Sequence, residues 1–201
     1  MERIQNVILD RDGTIIKDKN YLSDPDGVEL LPGAGQGLAE LVNSGIRLFL
    51  ATNQSGIGRG YFKEKDYWSV QERLREILSD FGVFFTDTAF CPHGPDENCA
   101  CRKPAPGMGR HFFKTHGLDP ERSVMIGDKG SDILFGLNCG VYASILVLTG
   151  KGRDQAKAYG LPGLQGPSVA LSPRGPDWPH VVARDLGAAC AWVLKHNAGL
   201  Q

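Results

Sequence analysis

Three short apolar runs in this 201-residue sequence each end in polar residues able to do chemistry: Asp10-Arg11-Asp12-Gly13-Thr14, Thr52-Asn53-Gln54-Ser55 and Gly127-Asp128-Lys129. One such ending is an ordinary solvated loop. Three at the ends of parallel strands would bring carboxylates, a hydroxyl and an ammonium to one edge, where open α/β sheets bind ligands. The chemistry that suits these groups is phosphoryl transfer. Asp10 and Asp128 can share a hard cation through oxygen, and Mg2+ favours one or two carboxylates plus substrate phosphate. A carboxylate can also attack phosphorus and form an aspartyl phosphate, which divides a hard hydrolysis into two steps. Asp12 is then suited to protonate the leaving oxygen and afterwards to take a proton from water. Thr52 and Lys103 would offset charge on the transferring group, where preorganised electrostatics does most of the work. Lys103 follows Cys101 and Arg102 and precedes Pro104, a setting that favours a fixed role over that of a solvated surface lysine.

A second constellation is built from softer ligands. Cys91-Pro92-His93 and Cys99-Ala100-Cys101 place three thiols and an imidazole in one short stretch. That donor set suits a tetrahedral, closed, structural Zn2+ site. A disulfide would need an oxidising compartment, and buried cysteines fit poorly beside the Pro, Gly, Asp and Asn of this stretch. Cys139 and Cys190 stand alone and read as small buried hydrophobes.

The elements that must position these groups alternate between strands and helices. Asn6 to Leu9, Arg47 to Ala51, Thr86 to Phe90, Ser123 to Ile126 and Ser144 to Leu148 read as strands. Gly35 to Ser44, Lys63 to Phe81, Met108 to His116 and Ser131 to Leu137 read as helices, the second with Tyr67, Val70, Leu74, Ile77, Leu78 and Phe81 at helical spacing. Eleven of the 30 residues from Gly150 to Pro179 are Gly or Pro, which predicts a long loop there. His180 to Ala183 then returns as a last strand, and Leu186 to Leu194 form a closing amphipathic helix. This alternation predicts a parallel sheet covered by helices on both faces.

Composition bounds the function classes. A chain of this length buries roughly 70% of its unfolded surface and needs no disulfides for stability; residues 1–201 read as one domain. Hydrophobic residues make up 41% and charged residues 22%, a globular balance. Twenty-two Lys plus Arg against 23 Asp plus Glu leave a net charge of −1, which argues against bulk capture of nucleic acid or anionic membrane. No apolar run approaches the ~20 residues that span a bilayer. The opening MERIQNVILD enters a strand-like run without a secretory pattern, and five cysteines, an odd number, fit reduced thiols; the expectation is a cytoplasmic protein.

The runs ILDRDGT, LATNQSG, CRKPAPGM and MIGDKGSD, in that order across residues 7 to 132, resemble motifs I to IV of the haloacid dehalogenase-like phosphohydrolases. The resemblance implies a Rossmann-like three-layer α/β/α sandwich. It also implies that Asp10 is the nucleophile, Asp12 the acid/base, and Thr52 and Lys103 the phosphate holders. Asp128 would join Asp10 and the Asp12 backbone carbonyl on Mg2+. Asp132 matches the second acid of motif IV, which supports the first or the lysine, with Lys129 beside it. By comparison with that superfamily the motif intervals have no room for a cap domain.

The zinc loop, Cys91-Pro92-His93-Gly94-Pro95 followed by CRKPAPGM, is similar to that of the D-glycero-D-manno-heptose 1,7-bisphosphate phosphatases and of the related histidinol-phosphate phosphatases, where the metal shapes a loop over the site. On this resemblance Asp18 to Tyr21 lie where the heptose enzymes contact substrate, joined by Asn53, Gln54 and Ser55, and Arg102 matches their substrate-recognition arginine. A guanidinium fork can hold a second phosphate, for which histidinol offers no equivalent. Arg59 fits the family's loop and equally fits a solvated arginine. The implied activity is Mg2+-dependent removal of one phosphate, the C7 phosphate, from a heptose bisphosphate in nucleotide-activated heptose synthesis for lipopolysaccharide or surface glycans. The implied partner is a small sugar phosphate, not nucleic acid or membrane, and the implied state a monomer. Two alternatives remain: a histidinol-phosphate phosphatase, and a zinc-stabilised binding module that has lost catalysis, against which the intact Asp10, Asp12, Lys103 and Asp128 count.

Overall fold

The computed structural model describes residues 2–199 except 162 and 173. Its frame is a seven-stranded sheet. In chain order the strands are β1 (Asn6–Leu9), β2 (Arg47–Asn53), β3 (Asp87–Cys91), β4 (Ser123–Gly127), β5 (Ala143–Val147), β6 (Ser168–Ala170) and β7 (Val181–Ala183). They lie in the order β3-β2-β1-β4-β5-β7-β6, all parallel to their neighbours except β6, which pairs antiparallel with β7. The helices are α1 (Ala34–Asn43), α2 (Ser55–Gly58), α3 (Glu64–Ser79), α4 (Gly107–His116), α5 (Gly130–Cys139), α6 (Gly152–Ala158) and α7 (Leu186–Ala198).

The central strands are apolar throughout because both of their faces are covered. Successive side chains point to opposite faces, and the packing follows that period. Val7, Leu9, Leu48, Leu50, Val124 and Ile126 join one core with Leu38 and Leu41 of α1, Val70, Leu74 and Leu78 of α3 and Val193 of α7. Ile8, Phe49, Ala51 and Met125 join the other with Met108 and Phe112 of α4 and Phe135 of α5. The result is a three-layer α/β/α sandwich. Between β1 and β2 the chain inserts one 3-10 turn (Pro25–Gly27) and α1; between β2 and β3 it inserts α2 and α3. No cap domain stands over the sheet among the described residues.

The expected long loop from 150 to 179 is corrected in part. It contains α6 and the short strand β6, although Pro162 and Pro173 within it lie outside the described residues. The only buried position of α6 is Gly152, and β6 is an edge strand with no buried residue. Neither element carries an apolar period, so composition dominated the sequence reading there.

Sheet order sets the site. From β1 the chain moves outward through β2 to β3, then returns to β4 on the other side of β1 and continues outward to β5. The carboxyl ends of β1 and β4 therefore form the point at which the winding reverses, where such sheets open a crevice. Leu9 pairs with Ile126, and the Asp10 N–H donates to the Ile126 carbonyl at 3.0 Å. The residues that follow these strands, Asp10 and Asp128, are thereby brought side by side.

Candidate active site

Asp10, Asp128 and Asp132 are buried, and one carboxylate oxygen from each lies within 4.8 Å of the others. Three carboxylates this close repel unless cations balance them. Lys103 supplies one: its Nζ donates to Asp10 Oδ1 at 2.6 Å and to the Ala51 carbonyl at 2.7 Å, and lies 2.7 Å from Asp132 Oδ1. Two hydrogen bonds and the ion pair with Asp132 thus hold this ammonium at the centre of the cluster. Its backbone is equally fixed, because Asn53 accepts from the Lys103 N–H at 2.9 Å and donates to its carbonyl at 3.0 Å. Asp132 thus supports the lysine; it also accepts from the Lys129 N–H at 3.0 Å.

The charges respond to this packing. Burial would raise the Asp10 carboxyl, but Lys103 and Lys129, with the Arg11 N–H, hold it below the usual carboxylate value. Burial would lower Lys103, yet Asp10 and Asp132 keep it above the ordinary lysine value. Asp128 goes the other way. Burial and the Asp10 charge push it up to about 7, against the opposing pull of Lys129 and the Lys151 N–H.

Asp10 Oδ2 and Asp128 Oδ1 are buried without a hydrogen-bond partner among the described residues. Gly13, at φ +93°, and Gly150, at φ +51°, pack so close that an added Cβ would fall 2.2 and 2.1 Å from Asp128 Oδ2. Two unpartnered carboxylate oxygens, in a cradle lined with glycine, fit a small hard cation bound through oxygen. The residues present therefore suit Mg2+.

Asp12 lies at the rim. Arg11 Nε donates to Asp12 Oδ2 at 3.0 Å, and Gln54 Nε2 donates both to that oxygen and to Thr52 Oγ1 at 2.9 Å. The Arg11 side chain is buried and lies over the Tyr67 ring, 5.3 Å from its centroid. Sequence reading passed over this arginine, although its place between two aspartates was a signal.

Beyond Asp12 opens a cleft of about 280 Å3, lined by Asp18, Asn20, Tyr21, Leu22, Asn53, Gln54, Ser55, Arg102, Lys129, Ser131 and Lys151 as well as Asp12 itself. The structure thus brings Asp18, Asn20, Tyr21, Asn53, Gln54, Ser55 and Arg102 to one cleft, whereas Lys19 of the same expected stretch turns outward and pairs with Glu29. Asn20 and Tyr21 take positive φ values of 52° and 63°, unusual for residues with side chains, and Tyr21 meets Tyr61 edge to face at 4.8 Å. Arg59 follows α2 on the exposed surface and does not line the cleft. Ser131 and Lys151 were missed; polar or basic residues in glycine-rich turns carry no periodic signal.

The thiol cluster is equally compact. Cys91, Cys99 and Cys101 Sγ atoms are 3.1–3.5 Å apart, and His93 Nδ1 lies 3.5 Å from Cys91 and 3.2 Å from Cys101. With metal–sulfur bonds of roughly 2.3 Å, a tetrahedral site has edges of roughly 3.5–3.8 Å, close to this spacing. Burial pushes the Cys91 thiol up. Cys99, after a burial effect of the same sign, is drawn down to about 7 by the Arg102 N–H and its neighbouring thiols. Three sulfurs and one nitrogen converging in this way fit Zn2+.

Comparison with known proteins agrees with this geometry. A family model described as HAD-hyrolase-like matches residues 100–171. The D-glycero-beta-D-manno-heptose-1,7-bisphosphate 7-phosphatase of Helicobacter pylori strain J99 is 44% identical over 142 residues, 70% of this chain and 82% of that protein. The Photorhabdus laumondii protein named for the alpha anomer is 38% identical over 155 residues, 74% of this chain and 85% of that one. The crystal structure of D,D-heptose 1,7-bisphosphate phosphatase from B. bronchiseptica, complexed with magnesium and phosphate, superposes with a TM-score of 0.82 at 33% identity, covering 96% of this chain and 99% of that one.

Proposed function

The chain belongs to the D-glycero-D-manno-heptose-1,7-bisphosphate 7-phosphatase family of haloacid dehalogenase-like hydrolases, and from that premise we propose that it removes the C7 phosphate of a heptose bisphosphate through an aspartyl phosphate on Asp10. The observation that carries this reading is the state of Asp10. Its carboxyl is held ionised by Lys103 through Oδ1, while Oδ2 is buried without a partner among the described residues.

Asp10 attacks phosphorus as the bond to the sugar oxygen breaks, and Asp12 delivers the proton that oxygen needs to leave. Asp12, now ionised, takes a proton from water. The water oxygen attacks the phosphoryl group, which frees inorganic phosphate and restores Asp10. Arg11 and Gln54 aim Asp12 at this task through both of its oxygens. Thr52 and Lys103 face the charge on the transferring oxygens. Asp10 and Asp128, with the Asp12 carbonyl, would hold Mg2+, which when bound would neutralise charge on the phosphoryl group. Cys91, His93, Cys99 and Cys101 would hold Zn2+, which when bound would fix the loop that carries Arg102 and Lys103.

Asp18, Tyr21, Asn53, Gln54, Ser55 and Arg102 line the sugar's path, with Lys129 beside Asp18. The relatives' role in heptose metabolism, a cytoplasmic setting that keeps the thiols reduced, a monomer and a single domain over 1–201 complete the reading. No helix among the described residues is long and apolar enough to cross a membrane. The test is a side-by-side kinetic comparison of heptose 1,7-bisphosphate and histidinol phosphate. The reading expects kcat/KM to favour the bisphosphate by at least about tenfold; equal or inverted values contradict it.

A further inference from the structure

Three side-chain cations line the cleft, and they are not equivalent. Lys129 is engaged: its ammonium donates to the Asp12 carbonyl at 3.2 Å and lies 3.5 Å from Asp18 and 3.7 Å from Asp128. Arg102 makes one long bond, 3.4 Å to the His93 carbonyl, and keeps most of its donors free. Lys151 has no side-chain partner among the described residues, and it is exposed.

The backbone of Lys151 is nonetheless firmly placed. Its N–H donates to Asp128 Oδ2 at 2.8 Å. Just before it, the Thr149 hydroxyl donates to the Gly13 carbonyl at 2.7 Å and Gly150 packs against Asp128. Just after it, Gln155 of α6 accepts from the Gly130 N–H at 3.0 Å. The turn is thus bolted to the reacting end of the site, and only the side chain is free to reach into the cleft. Sheet order sets its direction of approach. Lys151 follows β5, whereas Arg102 follows the loop beyond the opposite edge strand β3, so the two flank the β1–β4 centre from opposite sides.

A phosphate monoester carries a charge of about −1.5 to −2 near neutral pH, more than one guanidinium can balance. We propose that Lys151 is a specificity-determining residue that, together with Arg102, holds the phosphate that does not react. This rests on the reading of the substrate as a bisphosphate. With the C7 phosphate at Asp10, the group held by Arg102 and Lys151 is the anomeric phosphate.

The matched probes are heptose 1,7-bisphosphate and heptose 7-phosphate, which share the reacting group and differ only at C1. In the parent enzyme kcat/KM favours the bisphosphate. Lys151→Ala lowers that preference by about tenfold, mainly through KM, and Lys151→Arg restores most of it. In a cycle with Arg102→Ala the two losses fail to multiply, as expected for groups on one phosphate. A preference unmoved by Lys151→Ala, or an equal loss on both probes, overturns the assignment of Lys151 while leaving the substrate reading intact. A parent enzyme with no preference for the bisphosphate overturns the substrate reading, and the assignment with it.

Discussion

The carboxylate cluster and the thiol cluster are joined by only Cys101, Arg102 and Lys103, yet different things hold them. The carboxylates stand at the ends of β1 and β4 and on α5, and the protein's own ammonium groups bind them together. The thiols sit mainly on irregular chain. Beyond Cys91, which closes β3, that chain is tied by single hydrogen bonds from Gln54 N–H to the Cys91 carbonyl at 2.7 Å, Gly58 N–H to the Pro92 carbonyl at 2.9 Å, Gly107 N–H to the Ala100 carbonyl at 3.0 Å and Arg102 Nη1 to the His93 carbonyl at 3.4 Å. Hard oxygen donors on rigid strands suit a cation that takes part in chemistry. Soft donors on a loop suit one that supplies the fold locally. Metal-ligating side chains alone do not tell the two apart; their supports do.

The largest expected effect breaks the first cluster. Asp10→Asn preserves the shape and removes the nucleophile, so phosphate release falls by at least about 10^4-fold in a steady-state assay. Activity within tenfold of the parent would mean that the cluster is not the reacting centre. Next comes a separation of the two metals. Brief EDTA treatment abolishes turnover and added Mg2+ restores it, while elemental analysis still finds zinc with the protein. Joint loss of both metals, or activity indifferent to Mg2+, would erase the distinction. A smaller effect is expected from the second cluster. Cys99→Ala lowers zinc content and drops Tm by roughly 5–10 °C, the scale of a few kcal/mol at 2–4 °C each. Full zinc content and an unchanged Tm would refute the structural role.

Asp87 offers the smallest effect and a control outside both clusters. It accepts from His116 Nε2 at 2.8 Å, His111 Nε2 at 3.1 Å and the Thr88 N–H at 2.7 Å. Burial would raise its carboxyl, but these partners hold it below the usual value. A carboxylate depressed on folding stabilises fully above the unfolded-state value, and that contribution fades as pH falls through the folded one. Asp87→Asn is therefore expected to lower Tm by about 2–4 °C at pH 7, less at acid pH, with zinc content unchanged. An equal Tm difference across pH 3 to 7 would remove the ionic explanation.

Most of the frame was legible because the central strands are apolar on both faces and end in chemistry-bearing residues. The helix expected from Lys63 to Phe81 forms as α3, from Glu64 to Ser79, with Tyr67, Val70, Leu74 and Leu78 buried as their spacing implied. The region after Gly150 was less legible, since α6 and β6 bury almost nothing of their own. Within the site, residue types and order carried Asp10, Asp12, Lys103 and Asp128. They did not carry the supports. That Asn53 clamps the Lys103 backbone, that Arg11 lies buried against Tyr67, and that Lys151 faces the cleft all depend on contacts between distant segments.

The central claim, that Asp10 carries the phosphoryl group, is open to direct capture. Radiolabelled p-nitrophenyl phosphate has a leaving group that needs no proton, so Asp12→Asn should pass the first step and stall at the second, where a base must activate water. Acid quenching after a single turnover should leave label on the peptide containing Asp10, released by hydroxylamine as an acyl phosphate. A burst of nitrophenolate from unlabelled protein, or label on any other residue, would contradict it.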